Sequence, residues 1–194
     1  LGVDKTAKYI NTAETVIFHK REFLYGFYQA RESIRRSGAV ILVEGEMDML
    51  SSVQMGIKNV VAVKGSVLTV EQIEMLSKVC NKLILCFDAD FAGDKAMRSA
   101  IDLAESKEME VSVIQLIDGK DPDECIRKDP ELWRKSIENA VPFYDYLIQS
   151  SLKRNSSKDP YGQQKIVKEI LPHISNIKNM VIKSHYFQKL GTIL

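Results

Sequence analysis

Four short apolar runs, 40–43, 60–63, 83–87 and 111–116, recur along the first two thirds of the chain, each stopped by polar residues. Runs this short and this continuously apolar predict strands covered on both faces, rather than half-exposed strands that alternate apolar and polar positions. The segments around them carry helical spacing. Phe23, Leu24, Phe27, Ala30 and Ile34 predict a helix over 21–37 that Gly38 ends. A second helix runs to about Met55 and Gly56 closes it; Thr69 and Gln72 form a capping-box pair for a third, to about Val79; a fourth spans about 92–107. Strand and helix alternating in this way imply crossover connections and a parallel-centred α/β sheet with flanking helices. From Pro130 the pattern becomes purely helical, with Leu132, Trp133, Ile137 and Ala140, then Phe143, Tyr146, Leu147 and Leu152, as two apolar faces. Ile166, Val167, Ile170 and Leu171 mark a third tail helix that Pro172 is expected to kink or end, and 177–190 a fourth. The tail thus reads as a small helical subdomain.

Acidic residues fall where the strands stop. Glu44, Glu46 and Asp48 follow the first run, Asp88 and Asp90 the third, and Asp121, Asp123 and Glu124 the fourth. In extended backbone, side chains at i and i+2 point the same way, so Asp88 and Asp90 aim two carboxylates at one place. Parallel strands deliver their carboxyl ends to one edge, where sites form in open α/β sheets. Like charges gathered there call for a cation, and oxygen donors suit a hard divalent ion, Mg²⁺ first. The plainer alternative for DxD is a strand-to-helix loop in which Asp90 caps the next helix. Three acidic clusters after separate apolar runs favour the shared site.

Composition adds exclusions. The 194 residues are 45% hydrophobic and 27% charged, an ordinary globular balance, and the net charge of +1 means that any basic groove is local. No apolar run is long enough to span a bilayer, and no signal peptide is visible. Cys80, Cys86 and Cys125 are odd in number and form no CxxC pair, which argues for a reducing compartment and against a disulfide framework or a zinc site. The first residue is Leu1 rather than Met, which suggests a fragment.

The motifs in order are Val43-Glu44-Gly45 with Met47-Asp48, Lys64-Gly65-Ser66-Val67-Leu68-Thr69, Phe87-Asp88-Ala89-Asp90-Phe91-Ala92-Gly93 and Gly119-Lys120-Asp121-Pro122-Asp123-Glu124. Together they resemble the Toprim domain. With Lys8-Tyr9-Ile10-Asn11 and Ile17-Phe18-His19-Lys20 upstream, they resemble in particular the DnaG-type bacterial replicative primases. Glu46, Ala89 and Lys64 stand where that family usually has an aromatic residue, a glycine and an apolar residue; none of the three removes a metal-ligand candidate. The resemblance implies a Toprim-like fold, with residues 1–37 a remnant of the front polymerase subdomain plus a connecting helix, 38–130 the Toprim domain and 131–194 the helical subdomain.

It also implies an activity: metal-dependent synthesis of short RNA primers from ribonucleoside triphosphates on single-stranded DNA, through an RNA–DNA hybrid, in the bacterial cytoplasm. Glu44, Asp88, Asp90, Asp121 and Asp123 become the expected ligands of Mg²⁺, for which Mn²⁺ substitutes, with Glu44, Asp88 and Asp90 catalytic. Glu44 either shares a metal or accepts the proton of the attacking hydroxyl. Asp48 either supports the site from behind or is a helix N-terminal charge. Lys8, Asn11, Lys20, Gly65 and Ser66 are expected to line the nucleotide and template groove. The replicative helicase is expected to be reached through a domain outside this chain. Two other classes compete: another Toprim enzyme, a nuclease or a topoisomerase piece, and a non-catalytic DNA-binding module. No tyrosine here sits in a recognisable nucleophile setting, and acids without bridging metals repel nucleic acid.

Overall fold

The computed structural model describes residues 15–16, 18–63, 68–87 and 95–194, with backbone alone for 95–100. The four apolar runs form strands β2 (Ala39–Val43), β3 (Val60–Val63), β4 (Lys82–Cys86) and β5 (Glu110–Val113). All are mutually parallel: Val43 is opposite both Ala62 of β3 and Cys86 of β4, and Leu85 is opposite Val113 of β5. Two-residue antiparallel strands, β1 (Leu24–Tyr25) and β6 (Val141–Pro142), flank them, giving the order β1-β3-β2-β4-β5-β6. The parallel centre is as expected; the two edge strands are additions that residues this short do not announce.

Alternation within the central strand sorts the core into two layers. Val40 and Leu42 face one side with Ala30 and Ile34 of helix α1 (Phe27–Ser37), Ile73 and Leu76 of α3 (Val70–Ser77), and Ile101 and Ala104 of α4 (Lys95–Ser106). Ile41 and Val43 face the other with Met49 of α2 (Glu46–Gln54), Cys125 of α5 (Pro122–Lys128) and Trp133 of α6 (Pro130–Glu138). Complete burial on both faces is why the sequence reads as continuous apolar runs.

The first helix starts later than its spacing predicts. Lys20–Glu22 form a single 3-10 turn, and Leu24 and Tyr25 are drawn into the sheet opposite Val63 and Ala62. Gly26, at φ 79°, reverses the chain before α1, a conformation costly for any side-chain-bearing residue. The turn is docked on α3, where Gln72 Nε2 donates to the Phe23 carbonyl at 2.8 Å and Arg21 meets Glu71 at 3.3 Å. Thr69 and Gln72 do form the expected capping box.

Helices α7 (Phe143–Arg154), α8 (Pro160–Asn176) and α9 (Met180–Ile193) make the tail, whose Leu147, Ile148, Ile166, Ile170 and Leu190 continue the α1/α3/α4 layer. Tyr144 anchors it with a 2.8 Å hydrogen bond to Glu105. Helix α8 runs through Pro172 instead of ending there. Proline removes one N–H, and the exposed position of Pro172 lets water take the carbonyl that N–H would have served. At the start of α8, Gly162 is buried so tightly that a Cβ would stand 1.9 Å from the Ser156 carbonyl oxygen, whereas a Cβ at Gly191 would meet nothing within 4 Å.

These two glycines make opposite predictions. Gly162→Ala is expected to lower stability by about 1–3 kcal/mol through overpacking against backbone. Gly191→Ala is expected to raise it by up to about 1 kcal/mol through helix propensity. Chemical denaturation of both variants checks this, and equal midpoints would show that the 156–162 turn yields.

Candidate active site

The carboxyl ends of β2 and β4 are neighbours, and the chain departs in opposite directions from them, β2 toward β3 and β4 toward β5. This is the switch point of an open α/β sheet, where a crevice forms. Glu44 follows β2 there and is exposed. Asp88, Asp90, Gly65, Ser66, Lys8 and Asn11 lie outside the described residues. Lys20 is described: its turn enters β1 opposite Val63, the last residue of β3, so it stands at the same edge of the sheet as Glu44.

Asp48 is the best-determined acid. It lies in the first turn of α2 with only 8% of its surface exposed. Oδ2 accepts from the Gly45 N–H at 3.1 Å, and Oδ1 accepts from the Asp123 N–H at 3.1 Å. One carboxylate therefore ties the loop after β2 to the start of α5, which are remote in sequence. Glycine at 45 has no side chain to cap α2, so Asp48 closes the helix start from within, the reciprocal half of a capping box. A Cβ at Gly45 would come 2.8 Å from Asp48 Oδ2, so the close approach also needs glycine. Burial pushes the Asp48 carboxyl above its ordinary pKa; the two N–H donors pull it back, and Asp121 and Asp123 add repulsion.

Asp123 is fixed as firmly. Ser51, on α2, donates its hydroxyl to Asp123 Oδ1 at 2.6 Å, and Arg127, one turn along α5, pairs with Oδ2. Asp121 is the N-cap of α5, its Oδ1 accepting from the Glu124 N–H at 2.7 Å, ahead of Pro122 in the first turn where proline's missing N–H costs nothing. The fold thus brings Asp48, Asp121 and Asp123 together, with Glu44 at the end of the same loop. Among the described residues no cluster of three acids, histidines or cysteines has metal-binding geometry. Sequence reasoning missed α5, Ser51 and Arg127. Arg127 was findable from its i+4 spacing to Asp123; Ser51, 72 positions from its partner, had no local signal.

Comparison with known proteins places these features in a family. Residues 1–31 match the family described as "DNA primase catalytic core, N-terminal domain", 41–126 the "Toprim-like" family, and 144–194 the "DnaB-helicase binding domain of primase". The last match falls inside the tail, whereas the expectation had put the helicase contact in a domain outside this chain. The chain is 36% identical over 190 residues to a DNA primase of Clostridium acetobutylicum, covering 97% of this chain and 31% of that one. It is 41% identical over 156 residues to that of Aquifex aeolicus, covering 80% and 31%. The chain therefore spans about a third of the length of the curated relatives it matches. A DnaG primase catalytic domain bound to single-stranded DNA superposes with TM-score 0.79 at 32% identity, over 98% of this chain and 62% of that one. The zinc-binding and RNA polymerase domains of the Aquifex aeolicus primase give 0.76 at 35%, over 99% and 46%. With its acid-bearing sheet edge, three matches in family order and a fold shared along nearly its whole length, the chain belongs to the DnaG-type bacterial primases, as the Toprim-containing part of their catalytic core.

Proposed function

We propose that this chain is the metal-binding part of a DNA-directed RNA polymerase that makes primers on single-stranded DNA. The observation that carries the reading is the Asp48 clamp, which ties the loop that follows Glu44 to the acid-bearing start of α5. All the candidate donors are carboxylate oxygens, a set that fits Mg²⁺ or Mn²⁺. Glu44, Asp121 and Asp123, with Asp88 and Asp90, would hold the ion, which when bound neutralises charge on the phosphates. In this reaction a 3′-hydroxyl attacks an α-phosphate, the bond to pyrophosphate breaks, and the hydroxyl proton leaves to a base. Glu44, exposed at the strand end, would either take that proton or bind metal. Asp48, occupied by two backbone donors, acts as a positioning residue rather than a ligand. Lys20, and by resemblance Lys8, Asn11, Gly65 and Ser66, would meet the phosphates of the triphosphate or template. The tail's match to a helicase-binding family supports the replicative helicase as a partner of the whole protein. No described helix is long and apolar enough to cross a membrane, and the bacterial cytoplasm is the proposed location.

Asp90→Ala in the intact enzyme is expected to reduce primer synthesis to background while circular dichroism stays native, since removing one of several like charges relieves repulsion. A template-dependent assay with labelled ribonucleotides reads this; normal synthesis would sink the assignment, and strand cleavage instead of synthesis would point to another Toprim chemistry.

Asp48→Asn offers one acceptor oxygen where two are needed, leaving the Gly45 or Asp123 N–H unpaired. The expected loss is about 1–3 kcal/mol of stability, read by urea denaturation. An unchanged midpoint would show that the clamp contributes nothing.

The 194-residue chain alone is expected to bind Mn²⁺ weakly and to make no primers, because such sites are completed by substrate phosphates and reaction needs both nucleotides positioned. Paramagnetic line broadening should be weaker in Asp88→Asn than in wild type; equal broadening removes Asp88 from the site.

A further inference from the structure

Charge is divided unevenly along the chain. Residues 144–194 hold eight Lys or Arg against three Asp or Glu, a net of +5, while the whole chain is +1, so residues 1–143 carry −4. The three tail acids are already engaged. Asp145 pairs with Lys189 at 2.9 Å, Glu169 pairs with Arg154, and Asp159 caps α8 by accepting from the Gly162 N–H at 2.8 Å. Among the described residues, Lys153, Lys158, Lys165 and Lys168 form no ion pair, though Lys165 stands close enough to Asp159 to help lower its pKa. All four are exposed.

Their arrangement is ordered. Tyr161, Lys165 and Lys168 recur at i, i+4 and i+7 on α8, which puts them on one face. That face is opposite the buried Gly162, Ile166, Ile170 and Ile174. Lys153 lies in the last turn of α7 and Lys158 precedes α8, so both flank the turn from which this stripe begins. Tyr161, 79% exposed, stands at that end of the stripe, away from the aromatic cluster of Phe143, Tyr144 and Tyr186.

We propose that the α7–α8 hairpin is a second nucleic-acid contact, in which Lys153, Lys158, Lys165 and Lys168 meet backbone phosphates and Tyr161 stacks on a base of a single strand. The proposal rests on the primase reading only in taking single-stranded nucleic acid as the partner. Charge complementarity selects a polyanion, and an aromatic ring between lysines suits single strands, whose bases expose their faces. A contact here separates two tasks. The acidic edge can hold metal and reacting phosphates, while the basic tail supplies the electrostatic grip that a chain of net +1 otherwise lacks.

The test is fluorescence anisotropy of a labelled single strand of about twenty nucleotides, and of the matching duplex, with the 194-residue chain between about 50 and 200 mM KCl. Changing Lys153, Lys158, Lys165 and Lys168 together to Glu is expected to weaken binding at least tenfold and to flatten the salt slope by about 2–3. The corresponding Gln set should give a smaller loss, and circular dichroism controls for folding. Tyr161→Ala should weaken single-strand binding roughly tenfold with little effect on duplex. Failure of the intact wild-type enzyme to make primers, with single-strand binding through these lysines intact, would count against the polymerase reading and leave this one standing. Unchanged affinity in the Glu set overturns the proposal. So does normal DNA binding with lost capture by the purified replicative helicase, which would assign the surface to a protein partner. Equal losses on single strand and duplex overturn the stacking role of Tyr161.

Discussion

Two backbone N–H groups remote in sequence share one carboxylate, and the candidate site depends on that sharing. Loops at the ends of parallel strands leave backbone donors without ladder partners, and a helix start leaves more. Asp48 satisfies one donor from each of two such places, Gly45 and Asp123. A hydroxyl or an amide could accept at one place; a carboxylate has two oxygens and charge to strengthen both bonds. The cost is burial of an ionisable group beside Asp121 and Asp123, visible as its raised pKa. That cost has a sign. A carboxyl whose folded pKa exceeds its unfolded one contributes stability at low pH and loses it as pH rises through the folded value. Asp48 is thus held in place against its own electrostatics, an arrangement expected where positioning of neighbouring groups matters more than stability.

Most of the fold was legible because the sheet is buried on both faces. Where every position of 40–43 or 60–63 must be apolar, the strand announces itself and its helical surroundings imply a parallel partner. What escaped was what tertiary contact decides. Leu24 carries the same apolar signal in a helix as in an edge strand, and the antiparallel pairing with Val63, enforced by the left-handed Gly26, chose the strand. Pro172 carries a local signal to stop, yet Ile166, Ile170 and Ile174 bury one continuous face across it. Packing along that face outweighs one missing hydrogen bond on the solvent side.

The candidate site divides in the same way. Glu44 and the 121–123 acids could be assigned to one edge from chain order alone, because parallel strands share their polarity. The hydrogen bonds that orient those acids could not be read. Asp121 acts first as a helix cap, and Asp123 is held by Ser51 and Arg127. A carboxylate so engaged is aimed before any substrate arrives, which lowers the reorganisation that binding would otherwise require. It also limits what Asp123 can offer. With both oxygens already bonded, it can join a metal only through its remaining lone pairs or by releasing Arg127, whereas Glu44 stands exposed at the strand end.

That asymmetry bears on how an acidic edge and an anionic substrate coexist. Carboxylates gathered at the switch point repel phosphates until cations intervene, so affinity for nucleic acid has to come from elsewhere on the molecule. On the proposed reading Lys20 is one such place, since it sits on a turn docked to α3 at the same sheet edge. The tail carries all of the chain's surplus positive charge, and it is joined to the sheet: Tyr144 is bonded to Glu105, and α7 packs on β5 within the same apolar layer. A basic element fixed to the body of an acidic one keeps the two potentials at a constant spacing. Were the proposed tail contact to hold a single strand, that strand would meet the acidic edge at a set distance, without a hinge that would have to close first.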